Sequence, residues 1–249
     1  MNNYFFIVVS FLFFGCNSEN GLDCFQKTGT IIQTEVEVDV FTRIIVWPGV
    51  QLFIQQGAVQ QIIIETGENL LNDIEVSVNG TQLSLKNNNE CNYVREYDDT
   101  KIYVTSPNIT EIRNSSSLEI KSIGVLNYQN LNLFSENFGN EDIYHIDGDF
   151  DLALDVDELI VTSNGFSSFL LRGNANKATF GLYASNTRID AGELITRDIQ
   201  IFHRSSNVMI VNPQESIRGG IVSIGNVISR NIPPIVEVEE LYEGRLIFE

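Results

Sequence analysis

The sequence predicts an all-β protein whose second half winds as a parallel β-helix, a solenoid of stacked coils. Its 249 residues include 30 Ile and 21 Val but only 6 Ala, so β-branched residues stand where helices would carry Ala. From Ile31 onward, short apolar-alternating stretches are separated by turn residues, and no window has a helical period. The length is compatible with one all-β domain or with two.

Residues 1–15 have the pattern of an export signal. The apolar run from Tyr4 to Phe14 covers 11 residues, fewer than the roughly 20 that cross a bilayer. Gly15-Cys16 then resembles the lipobox of bacterial lipoproteins, in which the signal is cut before a cysteine that receives lipid. The resemblance implies that Cys16 is the lipidated N-terminus, carrying acyl chains such as palmitate, with a polar tether over 16–24. Because the leader has no Lys or Arg, an ordinary cleaved signal or an uncleaved anchor remains the alternative.

The remaining cysteines, Cys24 and Cys91, are predicted to form a structural disulfide, since an exported chain folds in an oxidising compartment. The alternative is a metal or redox pair. The sequence has no CxxC motif, and the two histidines, His145 and His203, lie far from both cysteines. We therefore expect both histidines to be structural.

Residues 25–106 are predicted to be the N-terminal β section of the same domain, and more antiparallel than the rest. Glu35–Val40 alternates acid and Val, which predicts a strand with Val36, Val38 and Val40 on one face and the acids on the other. Residues 61–65 indicate a strand that is buried on both faces. Asn79-Gly80 predicts a type I′ hairpin turn, because both residues tolerate positive φ.

Residues 107–249 are predicted to form about six β-helix coils and a C-terminal cap strand. Asparagines recur at intervals of 23, 27, 22, 21 and 19 residues, and such a period is typical of a solenoid. We expect them to form a corner ladder, with left-handed backbone and amides stacked from coil to coil. The series begins at Asn114, and the ladder comprises Asn137, Asn164, Asn186, Asn207 and Asn226. A β-sandwich is the alternative.

Short apolar segments within the coils are expected to fill the interior. They are Leu131–Phe134, Leu159–Val161, Phe180–Tyr183, Ile199–Phe202 and Ile221–Ile224. The Glu-rich stretch from Ile235 to Glu249 is strand-like, and its charges would discourage pairing between open β edges. It therefore predicts the cap.

The charge balance excludes nucleic acid as a partner. With Lys+Arg 15 against Asp+Glu 33, the formal net charge is -18, and such a chain repels phosphate backbones. The densest acidic segment places four carboxylates on one strand face: Asp149, Asp151, Asp155 and Asp157. We interpret this face as solvated, with a divalent-cation site as the weaker alternative, because calcium-loop spacing is absent. No metal and no cofactor are predicted.

Catalysis has little support in the sequence. A polysaccharide lyase or hydrolase would need facing carboxylates or a base beside calcium, and this is the alternative function. The arginines among the coils, Arg172, Arg188, Arg197 and Arg204, are expected to pair with nearby acids. No nucleophile, phosphate-loop or zinc motif is present, so no catalytic residue is predicted.

Several of these features together resemble the head GIN domain family of auto-transporter adhesins. They are Gly15-Cys16, Cys24, the segment 91–95 before the 101–104 strand, and the later coils; Asn114–Ser117 and Asp147–Asp149 stand where that family has corner turns. The resemblance implies a right-handed parallel β-helix. It also implies an exported protein or lipoprotein of the Gram-negative envelope, with the outer membrane the expected location.

We therefore expect a non-enzymatic, lipid-anchored envelope protein with an adhesin-like or scaffold role. Its expected partners are the membrane, through the N-terminal lipid, and surface glycans or proteins, through a long flat face.

Overall fold

The computed structural model describes residues 26–89 and 100–249. Within these ranges the protein is all-β: it has seventeen strands, one 3-10 turn at Leu71–Asp73 and no α-helix. The strands of the N-terminal part are β1 (Ile31–Val36), β2 (Arg43–Val46), β3 (Gln51–Gln56), β4 (Gln61–Gly67), β5 (Ile74–Asn79), β6 (Gln82–Asn87) and β7 (Lys101–Ser106). Those that follow are β8 (Glu111–Asn114), β9 (Ile120–Leu126), β10 (Asn130–Ser135), β11 (Phe150–Ser163), β12 (Ser168–Leu182), β13 (Arg188–His203), β14 (Met209–Ile221), β15 (Val227–Ser229), β16 (Ile235–Glu240) and β17 (Leu246–Phe248).

All seventeen strands belong to one sheet with mixed pairing, nearly closed and barrel-like. From β8 onward every pairing is parallel. Each of the long strands β11, β12 and β13 pairs with the next long strand along its length, β8 and β9 lead into β10 and β11, and β14 is followed by β15, β16 and β17. The long strands β11 to β14 bend in the middle and contribute to two hydrogen-bonded ladders. Ladder A contains their second halves with β2, β5, β6, β8, β10 and β16. Ladder B contains their first halves with β1, β3, β4, β7, β9, β15 and β17. We call one pass through both ladders a repeat.

In-register pairing stacks like side chains inside the sheet. Phe150 lies opposite Phe169, and their rings stack at a centroid distance of 4.6 Å. The column continues through Ile189, Met209 and Val227, all buried. Each strand therefore buries alternate residues in one continuous apolar core.

The N-terminal section is mixed rather than simply antiparallel. β4 pairs antiparallel with β1 and β7, and β5 with β6, whereas β2 and β3 pair in parallel with strands on both sides. Of the residues 61–65, Ile62 and Ile64 are buried but Ile63 is only half-buried. The strand is therefore one-sided, not buried on both faces.

The hairpin predicted at Asn79-Gly80 is confirmed by the antiparallel pairing of β5 and β6, but its turn type and the extent of the first strand were wrong. Asn79 pairs with Gln82, so the hairpin loop is Gly80-Thr81. Gly80 alone has a positive φ, of 61°, which matches a type II′ turn rather than type I′. In the first strand, β1 ends at Val36 and Val40 is 77% exposed, because the chain leaves the sheet before reaching it.

Candidate functional site

Each repeat leaves ladder A and turns back to ladder B at a corner that we call the asparagine corner. The turns there cover residues 136–149, 164–167, 183–187, 204–208 and 222–226. The five asparagines that the sequence predicted to stack at a corner all lie in these turns. The site described below consists of this corner and the adjoining outer face of ladder A.

The corner asparagines connect neighbouring repeats by hydrogen bonds, but only the first pair joins amide to amide. Asn164 Nδ2 donates to Asn137 Oδ1 at 2.9 Å, and the Asn137 backbone N–H donates to Asn164 Oδ1 at 3.3 Å. Asn207 Nδ2 instead donates to the backbone oxygen of Asn186 at 3.3 Å. The oxygen of the Asn226 amide accepts from the backbone of the following turn at 2.9 Å.

The expectation of left-handed asparagines at this corner was wrong. Among the described residues, the non-glycine residue with positive φ is Ser185, at 60°. It directly precedes Asn186, so the serine makes the turn and the amide remains available for Ser206 Oγ, which donates to Asn186 Oδ1 at 3.0 Å. The asparagines act through hydrogen bonds between repeats rather than through their own backbone conformation.

Beneath the corner, buried hydroxyl groups satisfy the turns from inside. Ser135 Oγ lies 2.6 Å from Ser167 Oγ, and Ser163 Oγ lies 2.7 Å from Thr187 Oγ1. Ser205 Oγ donates to the backbone oxygen of Thr187 at 2.7 Å. These contacts replace the water that buried turn groups would otherwise need.

His203 is buried at this corner, in an inward column between Leu182 and Ile221. Neither ring nitrogen has a hydrogen-bond partner among the described residues. Burial lowers the pKa of His203 to about 4, and backbone groups of Asn207 and Gly225 oppose that shift only in part. By contrast, His145 is exposed on the long turn after β10.

Three aromatic residues form an exposed patch beside the corner, which we call the aromatic stripe: Phe138, Tyr183 and Phe202. Their exposures are 52%, 41% and 38%. Phe138 meets Tyr183 edge to face at 5.6 Å, and Tyr183 meets Phe202 at 5.1 Å. The segments 180–183 and 199–202 were expected to fill the interior, but period-two alternation points Phe202 outward because Ile201 points inward.

A cavity of about 330 Å³ opens next to this stripe, at Asn137, the residue before Phe138. Phe166, which is 63% exposed, forms part of its wall together with Ile143 and His145. Three acids, Glu141, Asp142 and Asp147, also line it.

A second concavity follows the bend between the two ladders. This groove of about 610 Å³ is lined mainly by amides and carboxylates. Asn127 Nδ2 donates to Asp155 Oδ2 at 2.8 Å, and Asn176 Nδ2 donates to Asp157 Oδ1 at 2.6 Å. These polar groups are therefore engaged in links between repeats.

The four predicted carboxylates do not converge. Asp149 lies in the turn before β11, and Asp151, Asp155 and Asp157 follow one another along the outer side of β11. Asp151 pairs with Arg172, and Asp149 Oδ1 accepts from the backbone N–H of Ser168 at 2.6 Å. Burial raises the pKa of Asp149. Across 26–89 and 100–249, no three His, Cys, Asp or Glu side chains form a group that could hold a metal ion.

Three of the four arginines named above pair with an acid. Besides Arg172, Arg188 contacts Asp190 at 2.9 Å and Arg197 contacts Asp198 at 3.0 Å. The fourth, Arg204, is exposed at the asparagine corner and has no ion pair within the described part of the chain.

Several sequence predictions lie outside the described residues. These are the leader over 1–15, Cys16 with its tether, and the cysteines of the predicted disulfide, Cys24 and Cys91. No helix in the described ranges is long and apolar enough to span a bilayer.

Parallel strands stacked repeat by repeat within one mixed sheet define the class, an all-β repeat domain. The chain belongs to the family described as "Putative auto-transporter adhesin, head GIN domain", whose model matches residues 40–233. The family predicted from the sequence is thereby confirmed. A search of curated proteins finds no match.

Solved structures share the fold. An adhesin of Bacteroides fragilis NCTC 9343, described as putative, superposes with a TM-score of 0.78 at 20% identity, covering 90% of this chain and 99% of its own. One from Parabacteroides merdae ATCC 43184 gives 0.58 at 15% identity, with coverage of 90% and 98%. A structure from Parabacteroides distasonis ATCC 8503, described as a "Putative lipid binding protein", gives 0.57 at 15% identity, with coverage of 89% and 98%.

Proposed function

We propose that this chain is an exported, lipid-anchored and non-enzymatic envelope protein that recognises surface molecules through the outer faces of its sheet. One observation carries the proposal: in ladder A the strands from β10 to β14 pair in register, so their outward side chains form straight columns across this part of the sheet. Columns spaced by about 4.8 Å suit ligands that are themselves extended and repetitive. Family membership supports an adhesin-like role.

We further propose that the repeats are coils of a right-handed parallel β-helix. The uniformly parallel pairing from β8 to β17 supports it, because a β-sandwich would join successive strands through antiparallel hairpins. In this layout residues 25–106 are the N-terminal β section, and residues 107–249 are the β-helix coils with a C-terminal cap strand. β16 and β17 continue ladders A and B by parallel pairing with β14 and β15.

Adhesion can be measured on bacteria that express the full chain. Externally added protease should remove the protein from intact cells, and these cells should attach to host-cell or glycan-coated surfaces more than cells lacking it. Resistance to the protease on intact cells, with full digestion after lysis, would place the protein inside the envelope and rule out an adhesin.

Lipid anchoring is proposed through Cys16, on the strength of the Gly15-Cys16 pattern after a short apolar leader. Acyl chains contribute about 0.8 kcal/mol per buried methylene, and two or more hold a soluble domain firmly. Cys16→Ser should abolish labelled palmitate incorporation and release the protein from membranes. Cys24→Ser is the matched control and should keep the label; a membrane-bound Cys16→Ser protein would contradict the proposal.

Cys24 and Cys91 are proposed to form a disulfide. In the loop-entropy model a bridge over a separation of this size constrains the unfolded chain by on the order of 4 kcal/mol. Mass spectrometry of the exported protein after thiol alkylation without reduction should find both cysteines unmodified and cross-linked. Alkylation of either one would show that the bridge is absent.

The lyase or hydrolase alternative gains no support from the site. Its two candidate carboxylates, Asp149 and Asp151, are each engaged in a contact between repeats. A general acid or base has to be within hydrogen-bond reach of a substrate.

A further inference from the structure

We propose that the aromatic stripe and the adjoining asparagine corner form a binding site for an uncharged polysaccharide. The inference rests on the proposed surface-recognition function and names the ligand class. It combines three features at one place: exposed rings in mutual contact, amides beside them, and a cavity of about 330 Å³ at the end of the stripe.

The register of ladder A explains why an aromatic ring stands exposed here. Phe202 occupies an outward column between Gly181 and Gly220. A Cβ atom on Gly181 would lie 2.7 Å from Tyr183 Cε2, so the tyrosine ring covers that glycine. A Cβ atom on Gly220 would have its nearest neighbour at 3.8 Å. The ring of Phe202 is therefore supported by Tyr183 on one side and open on the other.

Such a surface matches the apolar face of a pyranose ring. Aromatic side chains bury a large area while losing little conformational freedom, and their faces accept C–H groups. Contiguous exposed apolar patches on soluble proteins commonly mark binding sites. Phe138, Tyr183 and Phe202 contact one another in this order, in the part of the sheet between β10 and β13, so the stripe can hold several sugar units in a row.

The corner supplies hydrogen-bonding groups for sugar hydroxyls. Asn137 lines the cavity. Within the described residues its contacts with Asn164 use its side-chain oxygen and backbone N–H and do not involve its Nδ2 group. Asn186 and Ser206 are exposed beside Tyr183. A few oriented polar groups next to an apolar wall are the usual composition of a small-ligand site.

Charge selects the class of polysaccharide. The cavity carries Glu141, Asp142 and Asp147, within a chain of net charge -18. Arg204 is exposed at the same corner, but the three acids outnumber it, and together with the overall field they repel uronic or sulfated polymers. Uncharged hexose polymers do not meet this repulsion, and their hydroxyls hydrogen-bond to amides and carboxylates alike.

The test uses the full chain in detergent, with neutral glucans and mannans compared with polygalacturonate at moderate salt. The protein should bind at least one neutral polymer and discriminate against the acidic one. Tyr183→Ala combined with Phe202→Ala should weaken binding by about tenfold or more. Tyr183→Trp should retain binding. Tyr242→Ala removes a ring that is 58% exposed and lies outside the stripe, and it should leave binding unchanged.

Three results would overturn the proposal: equal binding by the double variant, preference for polygalacturonate, or no binding to any neutral polymer. Vesicles of phosphatidylethanolamine and phosphatidylglycerol serve as a further arm, and stripe-dependent vesicle binding would assign the site to lipid instead. Unchanged melting temperatures show that the variants are folded. If displaying cells still adhere with the double variant, the adhesive function stands and only the glycan assignment falls.

Discussion

At the scale of single residues, the buried imidazole of His203 is the group whose protonation couples most directly to folding. Its inward column contains Leu182 and Ile221 in the neighbouring repeats, so an apolar side chain fits this position. A charged imidazole there would lose its solvation, and the backbone groups of Asn207 and Gly225 offset that loss only in part.

Stability is therefore expected to fall with acidity between pH 6.5 and about 4. The pKa of His203 is lowered from 6.5 to about 4 in the folded protein, so the unfolded chain binds the proton first as the pH falls. The full stabilisation is present above pH 6.5 and is lost as the pH approaches 4, a change of roughly 3 kcal/mol. Urea unfolding at a series of pH values measures it.

The matched variants isolate this effect. His203→Leu should remove the part of the pH dependence that comes from the imidazole, so that stability falls less than in the wild type across that window. His145→Gln, at an exposed position, should follow the wild type. The raised pKa of Asp149 has the opposite sign, because a carboxyl that protonates more readily in the folded state gains stability as the pH falls. The contribution of Asp149 is the same in the wild type, His203→Leu and His145→Gln, so it cancels in the comparison. Parallel curves for the wild type and His203→Leu would contradict the assignment.

At the scale of secondary-structure elements, alternation in the sequence predicted the inner face of β11 correctly. Phe150, Leu152, Leu154 and Val156 are all buried, as period-two spacing requires. The stripe escaped prediction because Phe202 sits in an apolar segment that looks like core. Gly181 and Gly220 are the sequence feature that could have indicated an exposed ring, because they leave space beside it. Only the strand pairing shows that these two glycines flank Phe202.

The turns could not be derived from residue type alone, for a similar reason. Asparagine tolerates left-handed backbone, yet at this corner the asparagine amides bond to neighbouring repeats, and Ser185 takes the strained conformation. Which of two adjacent residues turns the chain depends on contacts between repeats. A single repeat considered by itself does not contain that information.

Close stacking of repeats makes some glycines indispensable and others replaceable. A Cβ atom on Gly165 would lie 2.1 Å from the backbone oxygen of Ile146, whereas one on Gly220 would have no atom nearer than 3.8 Å. Gly165→Ala must push two repeats apart, which should lower the free energy of unfolding by about 1–3 kcal/mol or more. Gly220→Ala should change it by less than about 1 kcal/mol.

Urea unfolding of the two alanine variants, with the wild type beside them, measures this difference. Both glycines lie outside the positive-φ region, so backbone strain does not enter the comparison. Equal losses in the two variants would show that the repeats are not held at the spacing described here.

At the scale of the whole molecule, acidic side chains outnumber basic ones by 33 to 15. Ion pairs on the described surface are mostly exposed, as with Arg230–Glu249 and Arg218–Glu237, and such pairs contribute about 0–1 kcal/mol each. The unpaired acids repel one another in the compact state. Salt weakens both the ion pairs and the repulsion between acids. Because the excess of acids is larger than the number of ion pairs, we expect the loss of repulsion to have the larger effect on stability.

Added NaCl should therefore raise the melting temperature at pH 7, with most of the gain between low salt and about 0.15 M, where the Debye length falls to about 8 Å. The same titration at pH 4 is the internal control, because partial protonation of the carboxylates removes much of the repulsion that salt screens. At pH 4 the rise in melting temperature with NaCl should be smaller than at pH 7. A melting temperature that falls with salt at pH 7 would mean that the ion pairs between repeats, such as Arg172–Asp151, stabilise the stack more than the excess acids destabilise it.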